Sequence, residues 1–255
     1  MKYTSLDVRM KRYEAVSDVV LMRRTPVILR FDGSHFHTYT RGFEKPFDNV
    51  MMETMQRTME ALCNDIQGAV FGYTQSDEIT IVLCDYKTLE TSAWFDNRLE
   101  KLCSVGASKA SRYFNKFFIE VTEKAYNNKE VTDKMYEKYK SRYFTADFDC
   151  RAFNIPKEEV CNCVIWRQND AEKNSIQSLA QSLYSHNELK GLKCNQLQNK
   201  MFTEKGVNWS ELPTYCKRGS ACIKDENGKW FIDYDMPIIK ENREYVENPV
   251  YCEVD

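Results

Sequence analysis

The stretch Ala69-Val-Phe-Gly-Tyr-Thr-Gln-Ser-Asp-Glu-Ile-Thr-Ile-Val-Leu83 decides the fold. Residues 69–73 and 79–83 are apolar and rich in β-branched and aromatic side chains, and the link between them is too short for anything but a hairpin. Asp77 and Glu78 then sit at its tip or just past it. Upstream, Pro26-Val-Ile-Leu-Arg-Phe31 is a short apolar run that stops at Asp32-Gly33, a buried strand ending in a loop. Between these strands Val50, Met51, Met55, Met59 and Leu62 recur at helical spacing, with Asp48 placed to cap the helix. Downstream, residues 88–117 carry Leu89, Trp94, Phe95, Leu99, Leu102, Val105, Ala110 and Tyr113 without a proline, which predicts one long helix. Residues 144–153 alternate and predict a further strand. The order β-α-β-β-α-β is the split βαβ arrangement, an antiparallel sheet with two helices on one face.

Beyond Pro156 the pattern becomes helix-rich, with candidate helices at 158–185 and 189–202, and then loop-rich around Trp209, Pro213, Gly219 and Gly228. The expectation is an α+β fold in two parts, residues 1–155 and 156–255, with no internal repeat and no low-complexity tract.

With 42% hydrophobic and 29% charged residues, and only 9 Gly and 6 Pro in 255 residues, the chain is globular rather than disordered or linker-rich. No run approaches the roughly 18 apolar residues of a membrane helix, and residues 1–12 lack the apolar core of a signal peptide, so a soluble, cytoplasmic protein without a membrane partner is expected. The 10 cysteines, Cys252 among them, are scattered without a C-x-x-C pair and read as free thiols, and Cys161-x-Cys163 is not a usual zinc spacing.

A formal charge of −2 carries no global nucleic-acid signature, so any polyanion site must be local. Residues 109–142 hold nine basic side chains, among them Lys109, Arg112 and Lys116, against five acidic ones. Aromatics from Tyr113 to Tyr143 are threaded through them. That mixture suits RNA, where phosphates take the charge and bases stack; it also suits an amphipathic helical pair with a solvated lysine face.

In the split βαβ topology the end of the first strand and the hairpin tip lie side by side, which brings Asp32 and Asp77 together. Two converging carboxylates repel unless a cation lies between them, and Mg²⁺ accepts a few carboxylates together with phosphate and water oxygens. A pair of such ions supports in-line phosphoryl transfer, and Gly33 lets the backbone come close to a metal or triphosphate. Asp-Gly and Asp-Glu are equally at home in plain turns.

The string Leu29-Arg-Phe-Asp-Gly-Ser-His-Phe-His37, with Phe43-Glu-Lys-Pro-Phe-Asp48 and Tyr73-Thr-Gln-Ser-Asp-Glu78, resembles the tRNA-His guanylyltransferase family, including its bacterial and archaeal "-like" branch. The similarity continues through Trp94-Phe95, Phe148-Asp-Cys-Arg-Ala-Phe153, Val164-Ile-Trp-Arg-Gln-Asn-Asp170, Tyr184-Ser-His-Asn187 and Lys217-Arg-Gly219. Several ordered blocks in one spacing are more specific than any single motif. The resemblance implies a polymerase-like palm at 1–155 that adds nucleotides to the 5′ end of a tRNA. In such enzymes ATP activates a 5′-monophosphate as a 5′-adenylyl intermediate, the 3′-hydroxyl of an incoming nucleoside triphosphate, GTP among them, then attacks it, and the terminal pyrophosphate is later removed. Positioning and charge stabilisation suffice for each step.

Carried over residue by residue, the resemblance makes Asp32 and Asp77 ligands of two Mg²⁺ ions, the Gly33 carbonyl a further ligand and Glu78 a supporting acid. Asp32, Gly33, Ser34, His35, Phe36 and His37 wrap the nucleotide, and Ser76 donates a hydrogen bond beside the metals. Lys45, Arg98 and Lys101 handle phosphates, the last two as an i, i+3 pair on one helix. Arg30 can reach the same phosphates and is assigned with Asn174 to 5′-end activation, although its strand position is equally compatible with a buried pair; Asn174 matches a position tied to that step in the C-terminal part, and Trp166 reads as core. Lys217 and Arg218 join Lys109, Arg112 and Lys116 as RNA contacts, and a homotetramer is implied. Relatives that add G to tRNA-His have a His just after the Trp-Arg-Gln block, where this chain has Glu172. That departure favours the "-like" branch and template-dependent 5′-end repair over strict guanylyl addition. His186 fits that branch, with no role that follows from the sequence. A palm-type nucleotidyl cyclase and a non-catalytic RNA-binding module are the other readings.

Overall fold

Alternation fixes the faces of the first strand. In β1 (Val27–Gly33), Val27, Leu29 and Phe31 point to one side of the sheet, and Ile28, Arg30 and Asp32 to the other. In the computed structural model, which describes residues 5–251, the chain runs α1 (Leu6–Glu14), β1, α2 (Phe36–Tyr39), α3 (Asn49–Asp65), β2 (Ala69–Gln75), β3 (Glu78–Leu83), α4 (Leu99–Asn127), α5 (Asp133–Lys140), β4 (Phe148–Asn154), α6 (Val160–Leu183), α7 (His186–Leu189), α8 (Cys194–Lys205), α9 (Thr214–Arg218), β5 (Ser220–Lys224), β6 (Trp230–Asp233) and α10 (Glu244–Val250). Residues 1–4 and 252–255, Cys252 included, lie outside the described residues.

The sheet order is β4-β1-β3-β2-β5-β6, antiparallel throughout. Its first four strands are the expected split βαβ unit, and α3 and α4 cover one face of it. Asp48 caps α3 by accepting the Met51 N–H at 2.9 Å, and also accepts the Tyr139 hydroxyl at 2.7 Å. On that face Leu29, Phe31, Ile79 and Ile81 pack against Met55, Met59, Leu102 and Phe114. Near the mouth of the site the core is aromatic: Phe118 contacts the rings of Tyr39, Phe43, Phe114, Tyr139 and Tyr143. Many aromatics of the basic 109–142 stretch are therefore structural, and Tyr126 stacks on Tyr136 across α4 and α5 with centroids 3.8 Å apart.

The opposite face is covered by α6 and α10, where Val160, Cys161, Val164, Val246 and Val250 pack on Ile28, Phe71, Tyr73 and Val82. A bulge between Ala69 and Phe71 lets Val70 and Phe71 both reach this second core. A third, smaller core joins α6 to α8 through Ile176, Leu179, Leu197 and Met201.

Three expectations change. The long helix starts at Leu99, because Phe95, Asp96 and Asn97 all adopt positive φ, a break that hydrophobic spacing does not register. The loop-rich tail contains β5 and β6, which extend the sheet beyond β2, so the sheet crosses the division near Pro156. Trp166 is 54% exposed rather than core.

Phe118→Ala removes a fully buried ring with five aromatic neighbours and should cost about 3–5 kcal/mol in a urea titration. A loss below about 1 kcal/mol would show that the aromatic face does not anchor α4.

Candidate active site

The β1–β3 register places Asp32 opposite Glu78, and on the other side Asp32 faces Asp149 of β4. The two-residue turn Ser76-Asp77 closes the β2–β3 hairpin, with Ser76 at φ 52°, and the Gly33 N–H donates to the Asp77 carbonyl at 3.1 Å. The end of β1 and the hairpin tip are thus joined by a direct hydrogen bond. A Cβ on Gly33 would overlap the Phe36 ring, so this close approach requires glycine.

Burial pushes the Asp77 carboxyl above its ordinary value, and the Asp32 charge pushes in the same direction. The Ser76 hydroxyl opposes this by donating to Asp77 Oδ1 at 3.0 Å. Such a pair is suited to a hard cation: two hard oxygen donors whose repulsion a divalent ion relieves, beside a backbone with no side chain in the way. Glu78 lies close in sequence but has a different task. Burial raises its carboxyl, while Arg167 of α6, donating from Nε to Oε1 at 2.6 Å, pulls it down. Arg167 also donates to Asp170 at 3.1 Å and is itself only 8% exposed. The Glu78–Arg167 pair pins the C-terminal helix to the sheet.

A cavity of about 400 Å³ opens beside the hairpin between α3 and α6. His37, Lys45, Ser76 and Asp77 line it, as do Asn174 and Lys217 from the C-terminal part. Phe36 reaches it with the edge of a ring otherwise locked against Tyr39, Phe114 and Phe148. Asp32, Gly33, Ser34 and His35 lie just outside the lining. Ser34 donates its N–H to the Asp147 carbonyl at 2.8 Å, and His35 sits at φ 57° at the start of α2.

Other sequence-derived candidates lie elsewhere. Arg98 precedes α4 and binds Asp18 at 2.8 Å; its neighbour Asn97 packs beside Val27 and Leu83, at the far end of the strands from Asp32. Five residue steps, from Val27 to Asp32, separate those ends, about 17 Å. Lys101 follows on the next turn, exposed to solvent. Arg30 lies on the face of the sheet that α6 covers, with its guanidinium 5.6 Å from the Trp166 ring centre. Lys109 and Arg112 both approach Asp65, at 2.5 and 3.9 Å, and Lys116 approaches Glu120 at 3.8 Å. Arg218 is largely buried and faces Glu172 at 3.7 Å, whose carboxyl burial raises and Arg218 lowers.

The sequence reading missed the apolar and amide wall of the cavity: Met51, Met52 and Met55 with Gln56, whose amide donates to the Ser220 hydroxyl at 2.9 Å. Their helical spacing was visible, but it carries the same signal as an ordinary core stripe. Tyr215 and Cys216 also line the cavity, and burial pushes the Cys216 thiol up to about 11.

A family profile described as tRNAHis guanylyltransferase matches residues 7–156. An uncharacterised protein of Acanthamoeba polyphaga mimivirus is 31% identical over 237 residues, covering 87% of this chain and 79% of that protein. Among solved structures, a bacterial tRNA(His) guanylyltransferase-like protein in complex with ATP shares 44% identity at a TM-score of 0.85, over 97% of this chain and 100% of the other. A bacterial protein of the same description in complex with GTP shares 40% identity at a TM-score of 0.78, again over 97% and 100%.

Arg167→Met would strand the Glu78 carboxylate in a buried setting and should destabilise the fold by about 3–5 kcal/mol. Adding Glu78→Gln should recover most of that loss in the same denaturation assay, and a double variant no better than the single would refute the pairing.

Proposed function

The chain belongs to the tRNAHis guanylyltransferase family, nucleotidyltransferases that act on tRNA, and we propose that it adds nucleotides to a tRNA 5′ end, in the 3′-to-5′ direction, choosing each by pairing with the opposing base. The observation that carries this reading is the cavity wall, where Ser76 and Asp77 of the hairpin stand with His37 and Lys45 on one side and Asn174 and Lys217 on the other. That set matches a nucleoside triphosphate: cations for the phosphates, apolar methionines for the base and acids at the reacting end. The bacterial relatives solved with ATP and with GTP support the same ligand class here.

Asp32, Asp77 and the Gly33 carbonyl would hold Mg²⁺, for which this donor set fits. When bound, the ions neutralise charge on the entering and leaving oxygens of the phosphoryl transfer. The chain's own residues do the rest. Lys45 and Lys217 hold the triphosphate, the Ser76 hydroxyl fixes the Asp77 carboxylate, and His37 and Asn174 offer polar groups to orient the reacting 5′ end. In the proposed sequence the RNA 5′-phosphate attacks the α-phosphorus of ATP and releases pyrophosphate. The 3′-hydroxyl of the incoming nucleotide then displaces AMP, and the new 5′ pyrophosphate is removed in a later step. Catalytic work falls to Asp32 and Asp77, whereas Glu78, already bound to Arg167, supports the site by position. Arg98 and Lys101, at the far end of the sheet, serve phosphates only of a ligand that extends beyond the cavity or of a neighbouring subunit in a homotetramer.

The test is extension of a 5′-monophosphorylated tRNA lacking its first nucleotide, with ATP, Mg²⁺ and each nucleotide separately. Only the nucleotide complementary to the opposing base should be added. Asp77→Asn, folded, should lose both adenylylation and transfer by about 100-fold or more. Addition without regard to the opposing base, or wild-type rates in the variant, would overturn the assignment.

For RNA contact we assign Arg112 and Lys116, whose side chains are 65% and 62% exposed and only loosely paired. Replacing both by Ala should lower the slope of log binding constant against log salt by about 1.5 to 2 while sparing nucleotide binding. An unchanged slope would remove α4 from the RNA surface.

A further inference from the structure

We propose that Trp166 is a stacking platform for a nucleobase at the reacting end of the substrate, an inference that rests on the nucleotidyl-transfer reading and extends it to the β4 edge of the sheet face that α6 covers. The register builds that face. Asp149, Asp32 and Glu78 form one cross-strand row, and the next row on the same face is Arg151, Arg30 and Thr80. Arg151 reaches back to Asp32 at 3.9 Å and to Asp149 at 3.7 Å, with its side chain 57% exposed. A row of acids therefore borders a row of arginines, outside the cavity.

Trp166 stands beside this border from α6. Its indole is 54% exposed, whereas Trp94 and Trp230 are buried and the Trp209 indole N–H is bound to the Ser175 hydroxyl. The Arg30 guanidinium lies 5.6 Å from its ring centre and that of Arg167 4.5 Å. Arg167 cannot follow a ligand, since Glu78 and Asp170 hold it, so the indole rests on a fixed support. An indole half in water, propped on Arg167 and flanked by Arg30 in the row next to that of Asp32, has the two elements by which proteins grip single-stranded nucleic acid: a π-face for a base and a guanidinium for its phosphate. No packing need explains the position, because the core of α6 is served by Val160, Cys161 and Val164. The base comes either from the 5′-terminal nucleotide of the RNA or from the activating nucleotide, and the two are separable by experiment.

The experiment compares wild type, Trp166→Leu and Trp166→Phe in steady-state transfer on the truncated tRNA, and on the same RNA made abasic at its 5′-terminal position. Binding of fluorescently labelled 5′-phosphorylated tRNA is followed in parallel by anisotropy without ATP. Trp166→Leu should raise one KM about tenfold with kcat within about twofold, and Phe should restore most of it. If the base is the RNA's, the raised KM is that for RNA, anisotropy weakens equally, and the abasic RNA erases the difference between wild type and Leu. If the base is the activating nucleotide's, only the KM for ATP rises and the abasic change adds independently; either pattern supports the platform. Unchanged KM values for both, no rescue by Phe, or a change of sedimenting size in Trp166→Leu would overturn it, the last marking Trp166 as a contact between copies. Should Trp166→Leu fail to fold, Trp166→Phe still decides: the platform predicts for Phe either a smaller abasic penalty than for Trp, if the base is the RNA's, or a raised KM for ATP, if it is the activating nucleotide's, and a variant showing neither would overturn it. If wild type transfers nothing, the transfer reading fails, while anisotropy with intact and abasic RNA still judges the platform.

Discussion

Everything at the site depends on the register between β1 and β3. Because side chains alternate along a strand, a slip of one residue would turn Asp32 toward the α3–α4 core and Phe31 toward the α6 face. What forbids the slip is apolar: Val27, Leu29 and Phe31 face the same core as Ile79, Ile81 and Leu83, all buried. The acids are thus placed by hydrophobic residues that take no part in any chemistry, and the charged end of the strand is carried to the sheet edge by the pattern that precedes it. Repulsion between Asp32 and Asp77 is a local cost that this pattern overrides.

The second constraint ties the two parts of the chain together. Glu78 lies next to Asp77 in sequence yet turns to Arg167 on α6, so the hairpin that presents the acid is anchored through its neighbour to the C-terminal helix. The same helix supplies Asn174 to the cavity, about two turns further on. Meanwhile β5, which follows Lys217, pairs with β2, the strand leading into the hairpin. At Gly219 a Cβ would overlap the Thr74 carbonyl, and φ is 84°, so the chain passes from the cavity wall into the sheet at a point only glycine allows. The cavity is therefore built by both parts.

Much of this was legible in the sequence because strong periodicities and local turn chemistry announce themselves. The hairpin, β1 with its Asp-Gly ending and the Asp48 cap all follow from neighbouring residues. What was not legible depends on contacts distant in sequence. Ser-Ala-Cys-Ile-Lys and Trp-Phe-Ile-Asp are too short to be read as β5 and β6 until β2 offers an edge. The positive φ run at Phe95, Asp96 and Asn97 breaks a helix whose apolar spacing looks continuous, and by moving its start it leaves Arg98 as a flanking residue bound to Asp18. Lys217, which the resemblance implies as an RNA contact, lies in the cavity wall, a position that only the fold reveals. Trp166 read as core because tryptophans on helices usually are; only the register of β1 and β4 reveals that the face beside it carries arginines instead of aliphatic side chains.

The border position of the acids has a mechanistic consequence. Asp77 lines the cavity, while Asp32 lies outside its lining, on the α6-covered face of the sheet and next to the exposed Arg151 of the edge strand β4. A reaction that joins a small nucleotide to the end of a long RNA needs these two unequal partners to meet without competing for space. A cavity closed on several sides suits the small one, and an exposed sheet edge bearing Arg151 suits the chain that must enter and leave. With one acid on each side, a single hydrogen bond, Gly33 N–H to the Asp77 carbonyl, holds the end of β1 to the hairpin tip. The split βαβ topology supplies that border without any dedicated element, since it is the same sheet edge at which the first strand stops and the hairpin turns.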